Sequence, residues 1–349
     1  MSMKNILIIL SSFILLLSCN SNSSKNVVLL DLPENANYLK GNIKNSEVEI
    51  LNPNGMTVCD DYLVVFDNVQ EKIFKVYKLP ELNYLYSWGT KGRGPEEFVN
   101  IDDSSIREYN NHLELMDNQQ IKVFKILDDK MVMIEKKEVP ILDSPINRIQ
   151  RISDSIYFAD NLMTDPSYEH VIFDLKSKEM INKFGDYPTT ISTSSPTENY
   201  LTYSKWVASN PDLGIFMTFY YHLGLIKIYN RDGQLEKEII VNDPEIQKVS
   251  TNPNIENKMY FALPYASKNY VTIMRLNKTD SELGNDIENF KPEFLFWNWD
   301  GELIGRCSLD IPMTRYAISE KHKTLYGIFP LKEKEIYYFD LSSLVQNIK

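Results

Sequence analysis

Three aspartate–asparagine pairs, Asp67-Asn68, Asp117-Asn118 and Asp160-Asn161, each end a short apolar run and recur about every 45 residues. Carboxylates and amides arranged in a ring can hold a hard cation such as Ca²⁺, which takes oxygen ligands, or the hydroxyls of a sugar. Arg93, set between Gly92 and Gly94, would serve an anionic group on the same ligand. The same residue types also cap tight turns by bonding their own backbone, so a structural role stands beside the ligand-binding one. Gly92-Arg93-Gly94 has glycines enough to cradle a phosphate, but it follows neither the Walker nor the dinucleotide pattern and reads as a turn.

Other chemistries find less support. The histidines, 112, 170, 222 and 322, fall about one to a blade, and the expected topology puts them in two pairs on opposite faces. A catalytic zinc normally needs three converging protein ligands, so no zinc site is expected. Asp232-Gly233 and Asp300-Gly301 lack calcium-loop spacing and read as hairpin turns. Trp297 and Trp299 flank the second of these, either packed between blades or with one indole free to stack on a sugar. No Gly-x-Ser-x-Gly elbow occurs, so nothing points to a serine hydrolase.

The elements that must position these residues are strands. Residues 62–68 (YLVVFDN), 113–118 (LELMDN) and 156–161 (IYFADN) share one pattern, and the first two are followed by KIFKVY and KVFKI. Residues 214–219, 259–263 and 324–329 are further near-continuous apolar runs, as expected of strands covered on both faces. Taking these six as inner strands gives an all-β fold, a six-bladed β-propeller spanning residues 27–349 as a single domain. After residues 324–329 only residues 335–341 can form a strand, so the last blade lacks two. The N-terminal segments 27–32 (VVLLDL) and 46–51 (SEVEIL) are expected to close it. The three Asp-Asn turns, residues 92–98, the Ser/Thr-rich residues 189–199 and an insertion at 266–292 all map to one rim, the expected binding side.

Residues 1–18 have Lys4 followed by the apolar run ILIILSSFILLL, the layout of an export signal and too short to span a bilayer. Leu16-Leu17-Ser18-Cys19 resembles the bacterial lipobox, and that resemblance implies cleavage before Cys19 and acylation of its thiol and new amino group, a stable membrane anchor. Residues 19–26 then form a polar tether without the acidic run that marks surface export in some Bacteroidetes lipoproteins. The expected location is the cell envelope, anchored in the outer membrane and facing the periplasm. A net charge of −11 argues against nucleic acid as a partner. Cys59 and Cys307, on an inner strand and on an outer strand of another blade, are not expected to pair.

Residues 67–98, with Asp67, the KIFKVY strand and the ending Gly92-Arg93-Gly94-Pro95-Glu96-Glu97-Phe98, resemble an NHL-type propeller repeat. Together with the lipobox and the FWNWDGEL hairpin, the chain resembles the TolB-like six-bladed propeller lipoproteins of Bacteroidetes. The resemblance implies fold and location, but no particular activity. Two functions are compatible with it. One is a monomeric, non-enzymatic binding or scaffolding module for a protein, peptide or glycan, needing no cofactor. The other is a metal-dependent lactonase or lyase with Ca²⁺ at the channel mouth on Asp67, Asp117 and Asp160.

Overall fold

The computed structural model describes residues 26–94, 96–140, 146–161, 168–189, 191, 195–244, 248–252 and 254–345. The export signal, Cys19, most of the tether and Pro95 lie outside the described residues. Among those described, no helix is long and apolar enough to cross a membrane.

Six antiparallel sheets form a ring, each an up-and-down blade. Blade 1 is Pro53–Cys59, Tyr62–Asp67, Phe74–Lys78 and Asn83–Trp88. Blade 2 is Ile101–Tyr109, His112–Asp117, Gln120–Ile126 and Met131–Glu138, and blade 3 Ile146–Arg151, Ile156–Asn161, His170–Asp174 and Glu179–Phe184. Blade 4 is Lys205–Asn210, Ile215–Tyr220, Leu225–Asn230 and Leu235–Asn242, and blade 5 Met259–Ala266, Tyr270–Lys278, Glu293–Asn298 and Leu303–Leu309. Blade 6 takes only Arg315–Ser319, Thr324–Ile328 and Glu335–Asp340 from the C-terminal end of the ring.

The first strand of each blade lines the central channel. Second and third strands are covered by neighbouring blades on both faces, which is why they are nearly unbroken in apolar residues. The core is a set of inter-blade layers: Phe74 and Val76 meet Leu115 and Phe124 between blades 1 and 2, and Phe158 meets Phe216 and Tyr229 between blades 3 and 4. A layer containing Val65, Tyr77, Tyr326 and Ile336 joins blade 6 to blade 1.

The N-terminal segment forms a belt across the outside of three blades. β1 (Val27–Asp31) lies parallel on the outer strand of blade 4, β2 (Asn37–Leu39) lies parallel on that of blade 5, and β3 (Asn42–Asn45) pairs antiparallel with Glu335–Asp340 as the fourth strand of blade 6. Val28 and Leu30 turn inward onto the blade 4–5 layer while Leu29 faces out, the alternation of a half-covered strand.

The last blade is thus closed by an N-terminal strand, but the strands differ from those expected. Residues 27–32 belong to blade 4, one strand rather than two is missing, and residues 46–51 are the crossing from rim to channel. The cause is a one-strand offset. Five of the six runs taken as inner strands are second strands; only Met259–Ala266 is truly innermost. Residues 266–292 are likewise no insertion, since they hold the second strand of blade 5 and a short helix, Asp280–Asn285.

Candidate functional site

Asp67, Asp117 and Asp160 are buried at the ends of second strands, and each already has a basic side chain in ion-pair range. Asp67 accepts from the backbone N–H of Leu51 and Asn52 at 2.8 and 3.2 Å and pairs with Lys75 at 3.0 Å. Asp117 repeats the arrangement with Val99 and Asn100 at 2.9 and 2.8 Å and Lys122 at 2.7 Å. Each carboxylate therefore pins the chain as it enters its own blade's inner strand, and a lysine on the third strand supplies the counter-charge. In blade 3, Asp160 instead faces Arg148 at 3.3 Å and His170 Nδ1 at 3.0 Å. The amides serve the same turns: Asn68 accepts from Asn52, Asn118 adopts φ +53° with its N–H on Asn100, and Asn161 donates to the Tyr168 carbonyl.

Asp67, Asp117 and Asp160 form no ring at the channel mouth, because they lie one strand further out than expected and none of the three lines the channel. A Ca²⁺ ion at Asp67 or Asp117 would have to displace the bonded lysine. Among the described residues, no group of three His, Cys, Asp or Glu side chains is arranged to hold a metal ion.

The glycine-rich turn is filled from within. Gly94 N–H donates to Glu97 Oε2 at 2.7 Å, and a Cβ on Gly92 would collide with the same carboxylate, so Glu97 occupies the place of an external anion. Arg93 is exposed on the outside of this turn. Trp297 and Trp299 are both buried, Trp299 donating to the Ser267 carbonyl at 3.2 Å, which leaves neither indole free for a sugar. Asp232-Gly233 and Asp300-Gly301 are hairpin turns with glycine φ of +80° and +77°. Cys59 and Cys307 are buried and free. His112 and His322 lie at one face and His170 and His222 at the other, as the sequence implied.

What the inner strands build is a channel with a cavity of about 540 Å³, lined from all six blades. One mouth, where inner strands begin, carries Asn54, Asp103, Arg148, Trp206 and Arg315. The opposite mouth, formed by turns from first to second strands, carries Asp60, Glu108, Asp212, Lys268, Glu320 and Lys321. Met56, Ile106, Ala208, Leu263 and Ile318 give the walls between them apolar stretches. Tyr265 of blade 5 reaches the Val58 N–H of blade 1 at 3.1 Å and narrows the channel beside Tyr316.

The Asp-Asn turns and the long connections do share one face, the face of the arginine-bearing mouth, because second-to-third turns and blade-to-blade crossings both fall there. Strand Ile146–Arg151 bulges between Asn147 and Gln150, and Arg148 takes φ +52° within the bulge, which re-aims its side chain toward the channel. Its guanidinium lies over the Trp206 ring, 5.0 Å from the centroid. Burial works against the Arg148 charge, but Asp160 and Tyr200 outweigh it and raise its pKa. Arg315 donates from Nε and Nη1 to the carbonyls of Asn54 and Thr314, both at 2.8 Å. Burial lowers its pKa, with Asp103 opposing. At the other mouth burial raises the carboxyl of Glu108, and Asp212 and Glu320 add to the effect.

Sequence reasoning missed these channel residues because the inner strands hardly look like strands. IDDSSIREY, INRIQR and KWVASN carry polar residues on the channel side, and bulges break the alternation in the first two. A usable signal was the placement of such a segment just before five of the six apolar runs.

Fold and channel together define a six-bladed β-propeller with a polar central channel and an N-terminal closing strand. The sequence matches the model of the TolB-like 6-blade propeller-like family over residues 37–321, and the chain belongs to that family. Its fold is similar to the crystal structure of a member of the DUF4221 family from Bacteroides vulgatus, with a TM-score of 0.58 at 10% identity, covering 86% of this chain and 95% of that one. A putative exported protein from Bacteroides fragilis is similar with a TM-score of 0.53 at 9% identity, covering 90% and 99%. No curated protein matches the chain.

Proposed function

We propose that this chain is a lipid-anchored protein of the cell envelope whose propeller is a non-enzymatic binding module, with the ligand held in the central channel. The observation that carries the binding reading is the channel itself. Its cavity of about 540 Å³ is lined by apolar walls between polar mouths, a size and character suited to a small molecule or the end of a chain. The anchor reading rests on the Leu16-Leu17-Ser18-Cys19 lipobox. An outer-membrane, periplasm-facing position and a protein, peptide or glycan partner belong to the same proposal.

Thermal melting of the full chain in detergent against peptide and glycan panels tests it. A ligand at a hundredfold excess over its Kd should add about 2.7 kcal/mol of stability. The shift should vanish in Ala208→Trp, which fills the channel. Ligands that stabilise both proteins equally would place binding elsewhere. Mass spectrometry of the N-terminal peptide from bacterially expressed protein should find acylated Cys19, and an unmodified cysteine would refute the anchor.

A further inference from the structure

We propose that the arginine-bearing mouth of the channel is a carboxylate-binding site in which Arg315 takes the anion, an inference that rests on the channel being the ligand site. The argument begins with the other interior cations. Lys75, Lys122, Arg151, Lys205, Lys227 and Arg275 are buried, and each sits in an ion pair with a carboxylate. Channel-lining Arg107 and Arg148 do the same with Glu114 and Asp160. Of the three arginines among the described residues that line the cavity, Arg315 is the exception: its partners are the Asn54 and Thr314 carbonyls, and no carboxylate lies in ion-pair range.

Those two bonds hold the guanidinium through Nε and one Nη1 proton. They leave Nη2 and the second proton of Nη1 directed away from the carbonyls, the paired-donor edge that matches the two oxygens of a carboxylate. Thr314 Oγ1, on the preceding residue, is buried without a hydrogen-bond partner and has a proton to donate to an anion, whereas the unpartnered Asn54 Oδ1 only accepts and suits an N–H of the ligand. Asp103 is a further carboxylate lining the same cavity, its pKa raised by burial and Asp102 with Arg315 and Arg148 opposing. That charge disfavours a dianion such as phosphate and suits a singly charged group. Beyond the mouth, Met56, Ile106 and Ala208 receive the apolar part of the ligand. The site therefore fits a monocarboxylate entering end-on, whether a peptide C-terminus or a free organic acid.

Calorimetry on the full chain in detergent, with matched probes, tests this. N-acetyl-Ala-Ala-Phe and 4-phenylbutyrate are each compared with their carboxamides. The acids should bind at least about tenfold more tightly than the amides, since a charged hydrogen-bonding partner is lost on amidation. Arg315→Gln should abolish that preference and Arg315→Lys should keep part of it. Asn54→Asp, which puts a carboxylate beside Arg315, should abolish it in a second background should Arg315→Gln fail to fold. A tighter tripeptide would identify peptide ends as the source, and a tighter phenylbutyrate a free acid. Equal binding of acid and amide, or a preference that survives both Arg315→Gln and Asn54→Asp, overturns the carboxylate proposal. If such probes still lose affinity in Ala208→Trp, the channel reading survives that failure. Absence of any acid binding also overturns the proposal, and the channel is then judged by the melting panel alone.

Discussion

At the scale of residues, the interior of this propeller is stapled by charge. Asp67–Lys75 and Asp117–Lys122 repeat one device, and blades 3 and 4 replace it with a larger network. There Glu169 receives Tyr220 at 2.7 Å, Lys227 at 3.1 Å and Lys205 at 3.4 Å, beside the Asp160–His170 pair. Removing one member of such a pair leaves a charge that water cannot reach. Lys75→Met should therefore destabilise the fold by roughly 3–5 kcal/mol in denaturant unfolding, and the double variant Asp67→Asn/Lys75→Met should recover a good part of it. The network also sets the pH response. Burial holds the His170 imidazole below its ordinary value of 6.5, although Asp160 opposes this. As pH falls through 6.5 the unfolded chain takes up a proton that the folded chain refuses, so stability declines from there downward. Burial pushes the Glu169 and Asp160 carboxyls up, but Lys205 with their other cationic partners outweighs it, and both lie below their ordinary values of 4.5 and 3.8. Their contribution is complete above those values and is lost as pH falls through the lower, folded ones. Urea unfolding across a pH series should show both limbs, and His170→Gln should shrink the upper one, of which His222, also held below its ordinary value by burial, keeps a part. A single limb in the native protein would rule out the assignment.

Elements show why the ring closes and why it was only partly legible in the sequence. β3 supplies hydrogen bonds to the otherwise bare edge of Glu335–Asp340, while β1 and β2 cover the outer edges of blades 4 and 5. Deleting residues 26–45 removes Val28, Leu30 and Leu39 and uncovers the inter-blade layers they pack on together with three strand edges. The expected result is loss of the cooperative melt or of soluble protein; an unchanged melting curve would show the belt to be dispensable. Turn glycines join neighbouring blades in a similar way. Gly233 has φ +80°, and a Cβ there would come within 2.5 Å of the Phe184 ring of blade 3. Gly233→Ala should cost about 1–3 kcal/mol in denaturant unfolding, from backbone strain and overpacking together. The sequence disclosed strands that are apolar on both faces, such as YLVVFD and IFMTFY, because burial on two sides leaves a continuous hydrophobic run. It hid the strands around the channel for the opposite reason. One side of each meets polar solvent, and bulges at Arg148 and Leu263 break what alternation remains. The same fact displaced the candidate site, since Asp67-Asn68 is conspicuous in the sequence and structural in the fold, whereas Arg315 sits in an unremarkable RYAIS segment.

At the scale of the whole molecule, the belt fixes where an anchor would pull. β1 is parallel to the outer strand of blade 4, with Val27 opposite Glu238 and Asp31 opposite Asn242, so the chain enters the fold near the face that carries the Asp232-Gly233 hairpin. That is the face of the acidic mouth; the arginine-bearing mouth and the long connections lie on the other. A fully extended chain spans at most about 3.6 Å per residue, so Cys19 can lie no more than roughly 25 Å from Asn26. A lipid on Cys19 would then hold the hairpin face of blade 4 toward the membrane and leave the Arg315 mouth open to the aqueous side. The two native thiols are buried, Cys307 with its pKa pushed up to about 12, so a single introduced cysteine can be labelled selectively. Asp232 and Val69 are exposed on opposite faces and suit this purpose. In vesicles carrying the acylated full chain, a fluorophore on Asp232→Cys should be quenched by a headgroup-attached quencher much more than one on Val69→Cys. Equal quenching would mean that the tether lets the propeller tumble, and the reverse order would turn the carboxylate mouth toward the lipid, where a ligand from the aqueous phase could not enter it end-on.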